Sequence, residues 1–200
     1  MNTAAAATVA HELLLGGARS GKSRAAEARA AAWLGGPVCR GGLPREALLL
    51  ATAVAGDEEM AERIRRHQAD RALRLPALGC VEVAGLDLAE VLARHSTPQR
   101  LLVVDCLTLW LTQLALPLQG PPATADALHD AGRTLVQALR AAPGPVVLVS
   151  NEIGLGVMPL GAETRRFVDA LGGLHQALAA ACARVTLLVA GCELPVKEMA

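Results

Sequence analysis

The 200-residue sequence has no tyrosine, one phenylalanine and two tryptophans. So few aromatic faces exclude a platform for stacking single-stranded bases. Charge of one sign is missing too: 19 Lys and Arg balance 19 Asp and Glu. That neutrality argues against an electrostatic hold on nucleic acid or on a membrane surface. The five cysteines, Cys39, Cys80, Cys106, Cys182 and Cys192, are odd in number, and no two have the C-x-x-C spacing. A disulfide framework and a structural zinc site are therefore disfavoured, and small buried thiols in a reducing compartment are expected. No apolar run approaches the ~20 residues that span a bilayer, and no secretory signal is recognisable. No repeat of 20–50 residues is visible. These absences predict a cytoplasmic protein with no nucleic-acid partner and no membrane span. Residues 1–10, rich in alanine, are expected to form a mobile tail.

What remains is a globular composition. Hydrophobic residues make up 52% and charged residues 19%, which excludes a disordered chain. The length suggests one domain, or at most two small ones. Five short apolar runs stand out: Glu12–Leu15, Ala47–Thr52, Leu101–Asp105, Pro145–Ser150 and Val185–Ala190. Their hydrophobicity is continuous rather than alternating, the mark of strands covered on both faces of a parallel sheet. Helical patterns fall between them, at Ser23–Leu34, Asp57–Arg71, Thr124–Ala141 and Glu163–Ala183. Strand–helix alternation predicts an α/β fold with a mostly parallel central sheet and right-handed crossovers.

The strongest local signal is Gly16-Gly17-Ala18-Arg19-Ser20-Gly21-Lys22-Ser23. It matches G-x-x-x-x-G-K-[ST] at every position, after a strand and before a helix, which is the context a phosphate-binding loop needs. Glycines let backbone N–H groups wrap an anion without Cβ clashes, and the helix N-terminus faces it. Lys22 is placed to reach the β- and γ-phosphates, and the Ser23 hydroxyl to bind Mg²⁺. The run Leu101-Leu102-Val103-Val104-Asp105 ends an apolar strand in a carboxylate. Beside a phosphate loop, that pattern reads as the second magnesium ligand, although a strand-ending Asp also serves as a turn former. Ser150-Asn151-Glu152 closes another strand at the same sheet edge and reads more weakly as switch or substrate-facing residues.

Asp57–Arg71 is charge-dense, with Met60, Ile64 and His67 on one face at i, i+4, i+7. By spacing alone this is a solvated helix laced with Glu–Arg pairs and one incidental histidine; a neutral imidazole among cations is also a phosphorus nucleophile or proton carrier. His11, His95, His129 and His175 carry no motif of their own.

Taken in order, the chain offers the phosphate loop, then Ala51-Thr52, then Asp57-x-Glu59-Met60-x-x-Arg63-Ile64-x-x-His67-x-x-x-Arg71. Next come Asp105-Cys106-Leu107-Thr108-Leu109-Trp110-Leu111-Thr112 and Ser150-Asn151-Glu152-Ile153-Gly154-Leu155-Gly156-Val157-Met158-Pro159, with Arg166-Phe167-x-Asp169 and Ala190-Gly191 at the end. This series resembles the bifunctional adenosylcobinamide kinase / adenosylcobinamide-phosphate guanylyltransferases of cobalamin biosynthesis, from His11 to Lys197. The resemblance implies a P-loop NTPase-like three-layer fold, with residues 11–200 as a single kinase/guanylyltransferase domain. It implies two reactions: ATP or GTP phosphorylates the hydroxyl of adenosylcobinamide, and GTP then donates GMP to that phosphate through a GMP–histidine intermediate.

The position matching the histidine is His67, with Lys22 beside it as the second catalytic residue. Nucleotide contacts map onto Gly16, Gly17, Ala18, Arg19, Ser20, Gly21, Lys22, Ser23, Thr52, Ala53, Val54, Gln68, Ala69, Asp70, Arg71, Glu82 and Asp105. Ser23 and Asp105 are the metal positions. The resemblance further implies a corrinoid substrate and a homotrimer. The chain departs from the family pattern at Gln113 and His175, in the run Ala72-Leu73-Arg74-Leu75-Pro76 after Arg71, and in the Gly-rich stretch from Leu34 to Arg45. Alternative readings are another small-molecule kinase without guanylyl transfer, or a nucleotide-dependent switch ATPase.

Overall fold

A computed structural model describes residues 10–39, 42–157 and 159–198. The expected tail at 1–10 lies, except for Ala10, outside the described residues. Seven strands form one sheet: β1 (Glu12–Gly16), β2 (Glu46–Ala51), β3 (Leu78–Glu82), β4 (Arg100–Asp105), β5 (Val146–Asn151), β6 (Arg184–Val189) and β7 (Cys192–Lys197). Their spatial order is β3-β2-β4-β5-β1-β6-β7. All neighbouring pairs are parallel except β6–β7, a hairpin that closes the sheet on one side. Six helices connect them: α1 (Lys22–Leu34), α2 (Glu58–Arg74), α3 (Leu88–His95), α4 (Leu107–Ala115), α5 (Ala125–Ala141) and α6 (Ala162–Ala181).

The continuous apolar strands split their side chains between two cores, as period-2 geometry requires. Leu13, Leu102, Val104, Val146 and Leu148 point to one face, where Leu92, Leu111, Leu135, Leu139, Leu171 and Leu178 cover them from α3 to α6. Leu14, Leu101, Val103, Val147 and Val149 point to the other, where Ala25, Ala26 and Ala30 of α1 pack. Three layers result, the expected α/β architecture. Each fully buried leucine in these cores contributes about 1.5–3 kcal/mol of transfer free energy. Helix α2 is the exception: it buries none of its residues. Among the described residues no helix is long and apolar enough to cross a membrane.

Four elements go beyond the sequence expectation. β3 and β7 are edge strands, and β7 is exposed along its whole length and contains Pro195. Edge positions relax the demand for continuous hydrophobicity, and proline is tolerated there. α3 is only eight residues long, and α4 follows β4 after one residue, Cys106. α2 also runs three residues past the expected end at Arg71, so the run Ala72-Leu73-Arg74 continues a helix.

A polar clasp holds the start of β1. Glu12, only 1% exposed, accepts hydrogen bonds from the Arg29 Nε and Nη2 at 3.3 and 3.1 Å, the Arg184 Nη2 at 3.0 Å and the Thr186 hydroxyl at 3.0 Å. Arg29 also donates to both carboxylate oxygens of Glu193 at 2.7 and 2.6 Å. One carboxylate thereby ties β1 to α1 and β6, and Arg29 extends the tie to β7.

Candidate functional site

β1 ends in Gly16, whose φ of +156° belongs to glycine. A Cβ there would lie 2.4 Å from the Leu188 carbonyl oxygen and 2.6 Å from the Ser20 hydroxyl, so no larger residue fits the turn. The loop then curls into α1. The Gly17 carbonyl accepts from the Ser20 N–H at 3.3 Å, and the Ser20 carbonyl accepts from the Gly191 N–H at 3.0 Å. This second bond ties the loop to the β6–β7 turn. Gly21 caps α1 at φ +102°, and the free N–H groups of the first helical turn point into the loop. Lys22 is buried. Its Nζ donates to the carbonyls of Gly16 at 2.9 Å and Gly17 at 2.6 Å. Burial lowers its pKa, while Cys106 and Asp105 work against that shift.

Asp105 stands at the carboxyl end of β4 on the same sheet edge, where open α/β sheets bind ligands. Burial pushes its carboxyl above the usual range; a hydrogen bond from the Ser23 side chain and the charges of Arg71, His67 and Lys22 pull it back. Residues from two separate segments therefore act on one carboxylate: Lys22 and Ser23 from the loop, and His67 and Arg71 from α2. The Ser23 hydroxyl and the Asp105 carboxylate are hard oxygen donors, the kind that magnesium takes alongside phosphate oxygens. Among the described residues no group of three His, Cys, Asp or Glu side chains forms a metal cage. That arrangement suits an ion carried in with a nucleotide, which needs only one or two protein ligands.

The other expected contacts fall into two groups. Gln68 of α2 donates to Glu82 of β3 at 3.2 Å, and Arg71 lies 3.9 Å from Glu27 and 3.5 Å from the Cys80 sulfur. His67, Gln68, Ala69 and Asp70 are all solvent-exposed. Thr52 is buried just past β2. Its hydroxyl donates to the Cys106 carbonyl and accepts from the Cys106 N–H, both at 2.7 Å, and its own carbonyl accepts from the Gln113 amide. With that hydroxyl satisfied on both sides, Thr52 shapes the loop, and Ala53 and Val54 beyond it are half-buried.

A polar chain runs beneath the end of β5; Ser150 and Glu152 belong to the run singled out in the sequence, whereas their link to His175 and Thr108 is not foreseen there. His175 of α6 lies 2.7 Å from the Ser150 hydroxyl through Nε2 and 3.6 Å from the Glu152 carboxylate through Nδ1. Ser150 lies 3.1 Å from the Thr108 hydroxyl, which accepts from the Asn151 N–H at 2.7 Å. Burial lowers the His175 pKa and the facing Glu152 opposes it. Ser, His and Glu in line resemble a hydrolytic triad, yet Ser150 is 0% exposed, so no substrate reaches its oxygen. A second signal that could have pointed to the link is a histidine inside the apolar stripe Leu171, Leu174, Leu178 of α6.

Residues 12–196 match the family described as cobinamide kinase / cobinamide phosphate guanyltransferase. The chain belongs to that family. The chain is 47% identical over 186 residues to the bifunctional adenosylcobalamin biosynthesis protein CobP of Pseudomonas aeruginosa, covering 93% of this chain and 96% of the relative. It is 33% identical to the corresponding protein CobU of Salmonella typhimurium, covering 92% and 98%. A solved structure from Pyrococcus horikoshii OT3 shares its fold at a TM-score of 0.53 and 8% identity, over 96% of this chain and 87% of that one. The chain is therefore a transferase of cobalamin biosynthesis, and its fold fits the P-loop NTPase-like architecture.

Proposed function

We propose that one nucleotide site, built on Gly16–Ser23, serves both reactions, and that His67 carries the GMP between them. The observation supporting this is the phosphate loop with Lys22 held on the Gly16 and Gly17 carbonyls, at a sheet edge where the charges of His67 and Arg71 from α2 also act on Asp105. In the kinase step the loop N–H groups and Lys22 hold the β- and γ-phosphates, and Lys22 gives up the carbonyls of Gly16 and Gly17 to do so. The substrate is the hydroxyl of adenosylcobinamide, with ATP or GTP as donor. In the second step an imidazole nitrogen of His67 attacks the α-phosphorus of GTP. A P–N bond forms, the α–β bridging P–O bond breaks, and pyrophosphate leaves. An oxygen of cobinamide phosphate then attacks the same phosphorus, the P–N bond breaks, and His67 is regenerated. Two displacements avoid one direct transfer from GTP to the cobinamide phosphate. Magnesium held by Ser23 and Asp105 would neutralise phosphate charge. Arg71, with Gln68 and Glu82 behind it, flanks the guanylylated histidine. Residues 11–200 would act as one cytoplasmic domain, assembled as a trimer.

The test is incubation with α-³²P-GTP. The wild type acquires a label that is lost in acid and survives alkali, as a phosphoramidate does. His67→Asn forms no adduct and loses guanylyl transfer while keeping much of its kinase turnover. An acid-labile adduct in His67→Asn would sink the assignment.

A further inference from the structure

We propose that Glu152 is the general base of the phosphoryl-transfer step, held in place by His175 and Ser150. The inference rests on the phosphate loop as nucleotide site and is independent of His67. β5 lies between β1, which carries the loop, and β4, which carries Asp105. Its end therefore opens onto the space between the two. The Glu152 N–H donates to the Gly16 carbonyl at 3.0 Å, and the Lys22 Nζ donates to that same oxygen at 2.9 Å. Glu152 thus starts from the carbonyl on which the γ-phosphate-binding lysine rests.

The side chain is fixed without being consumed. One carboxylate oxygen accepts from the Gly154 N–H at 2.6 Å, the other faces His175, and the side chain keeps 22% exposure. The hydrogen bonds of the buried chain can all run one way: Thr108 hydroxyl to Ser150, Ser150 hydroxyl to His175 Nε2, and His175 Nδ1–H toward Glu152. That polarity keeps the imidazole neutral, in the direction burial already drives it, and points its N–H at the carboxylate, as the orienting member of a triad does.

Four other carboxylates of the described residues have partners of their own. Asp105 has Ser23, Glu27 has Arg71 and Arg74, Glu82 has Gln68, and Asp57 caps α2. In the step itself the cobinamide hydroxyl oxygen attacks the γ-phosphorus and its O–H proton passes to Glu152. The β–γ bridging P–O bond breaks, and its electron pair leaves with the nucleoside diphosphate. Guanylylation of the enzyme releases no hydroxyl proton, so it makes no demand on this base.

The two reactions are measured separately: phosphorylation of cobinamide, and formation of the ³²P-GMP adduct from GTP alone. Glu152→Gln is expected to lower kinase kcat by about 10²–10⁴-fold, with the nucleotide KM little changed and adduct formation retained. His175→Leu lowers kinase kcat about tenfold, and His175→Gln, which keeps an N–H for the carboxylate, recovers part of it at a comparable melting temperature. Glu152→Gln with kinase turnover within threefold of wild type overturns the proposal. So does equal loss of kinase and adduct, which marks a role in nucleotide binding or folding. Failure of the phosphate-loop reading shows differently, as a Lys22→Ala variant that keeps kinase turnover.

Discussion

Lys22 is buried with its ammonium on two backbone carbonyls, so the cradle itself holds the positive charge that a triphosphate needs. Removing it takes charge from the transition states of both reactions. Lys22→Ala is therefore expected to cut kinase turnover and GMP-adduct formation alike, each by about 10²–10³-fold, with an unchanged circular dichroism spectrum. Near-normal kinase turnover would separate this loop from the chemistry. At this scale the sequence was readable where a motif is contiguous: the spacing from Gly16 to Ser23 and the strand-ending Asp105 need no tertiary information. His67 was different. Its helical spacing favoured an incidental surface residue, and only family resemblance raised it. Glu152 and His175 are 23 positions apart in the chain, and nothing local joins them.

At the scale of elements, α2 is held by polar contacts. Asp57 accepts from the Met60 N–H at 2.7 Å, Gln68 meets Glu82, and Arg71 and Arg74 meet Glu27. A helix with no buried residue depends on such contacts and opens with less free energy than the core. Its amides are expected to exchange with deuterium much faster than those of α6, which buries Leu171, Leu174, His175 and Leu178, and to slow when GTP binds. Glu27→Ala should speed exchange in the last turns of α2 and impair adduct formation more than kinase turnover. Equal protection of α2 and α6 in the free enzyme would show a firmly docked helix. Strands covered on both faces, such as β4 and β5, were legible because burial demands unbroken hydrophobicity. β3 and β7 were hidden because each has an open edge, where Gly79 or Pro195 costs little.

For the whole molecule, stability should fall with acid in two stages. Burial holds the pKa values of His11 and His175 below the ordinary 6.5. The unfolded chain therefore takes up protons first, and stability drops as pH falls below about 6.5. Burial alone would raise the Glu12 pKa, but Arg29 and Arg184 hold it below the ordinary 4.5. Its contribution is complete above that value and fades as pH falls through the lowered one. Asp105, pushed upward, works in the opposite direction. Glu12→Gln should lose about 2 kcal/mol at pH 7, less than the 3–5 of a fully buried pair, because Arg29 and Arg184 keep 24% and 49% exposure. The gap between the melting curves of variant and wild type should narrow as pH falls below the ordinary 4.5 and through the lowered value; a gap that stays constant for as long as the wild type remains folded in acid would show that packing, not charge, is what the clasp supplies.

The phosphate loop between β1 and α1 also sets the order of traffic. If the proposed single cradle serves both reactions, the nucleoside diphosphate left by the first occupies the place that the next GTP must take. Spent nucleotide, ADP or GDP according to the donor, is then a competitor of fresh GTP, and the rate of the second reaction would follow the ratio of GTP to nucleoside diphosphate around the enzyme rather than the amount of GTP alone. The corrinoid would be committed to its nucleotide tail only when guanine nucleotides are well charged.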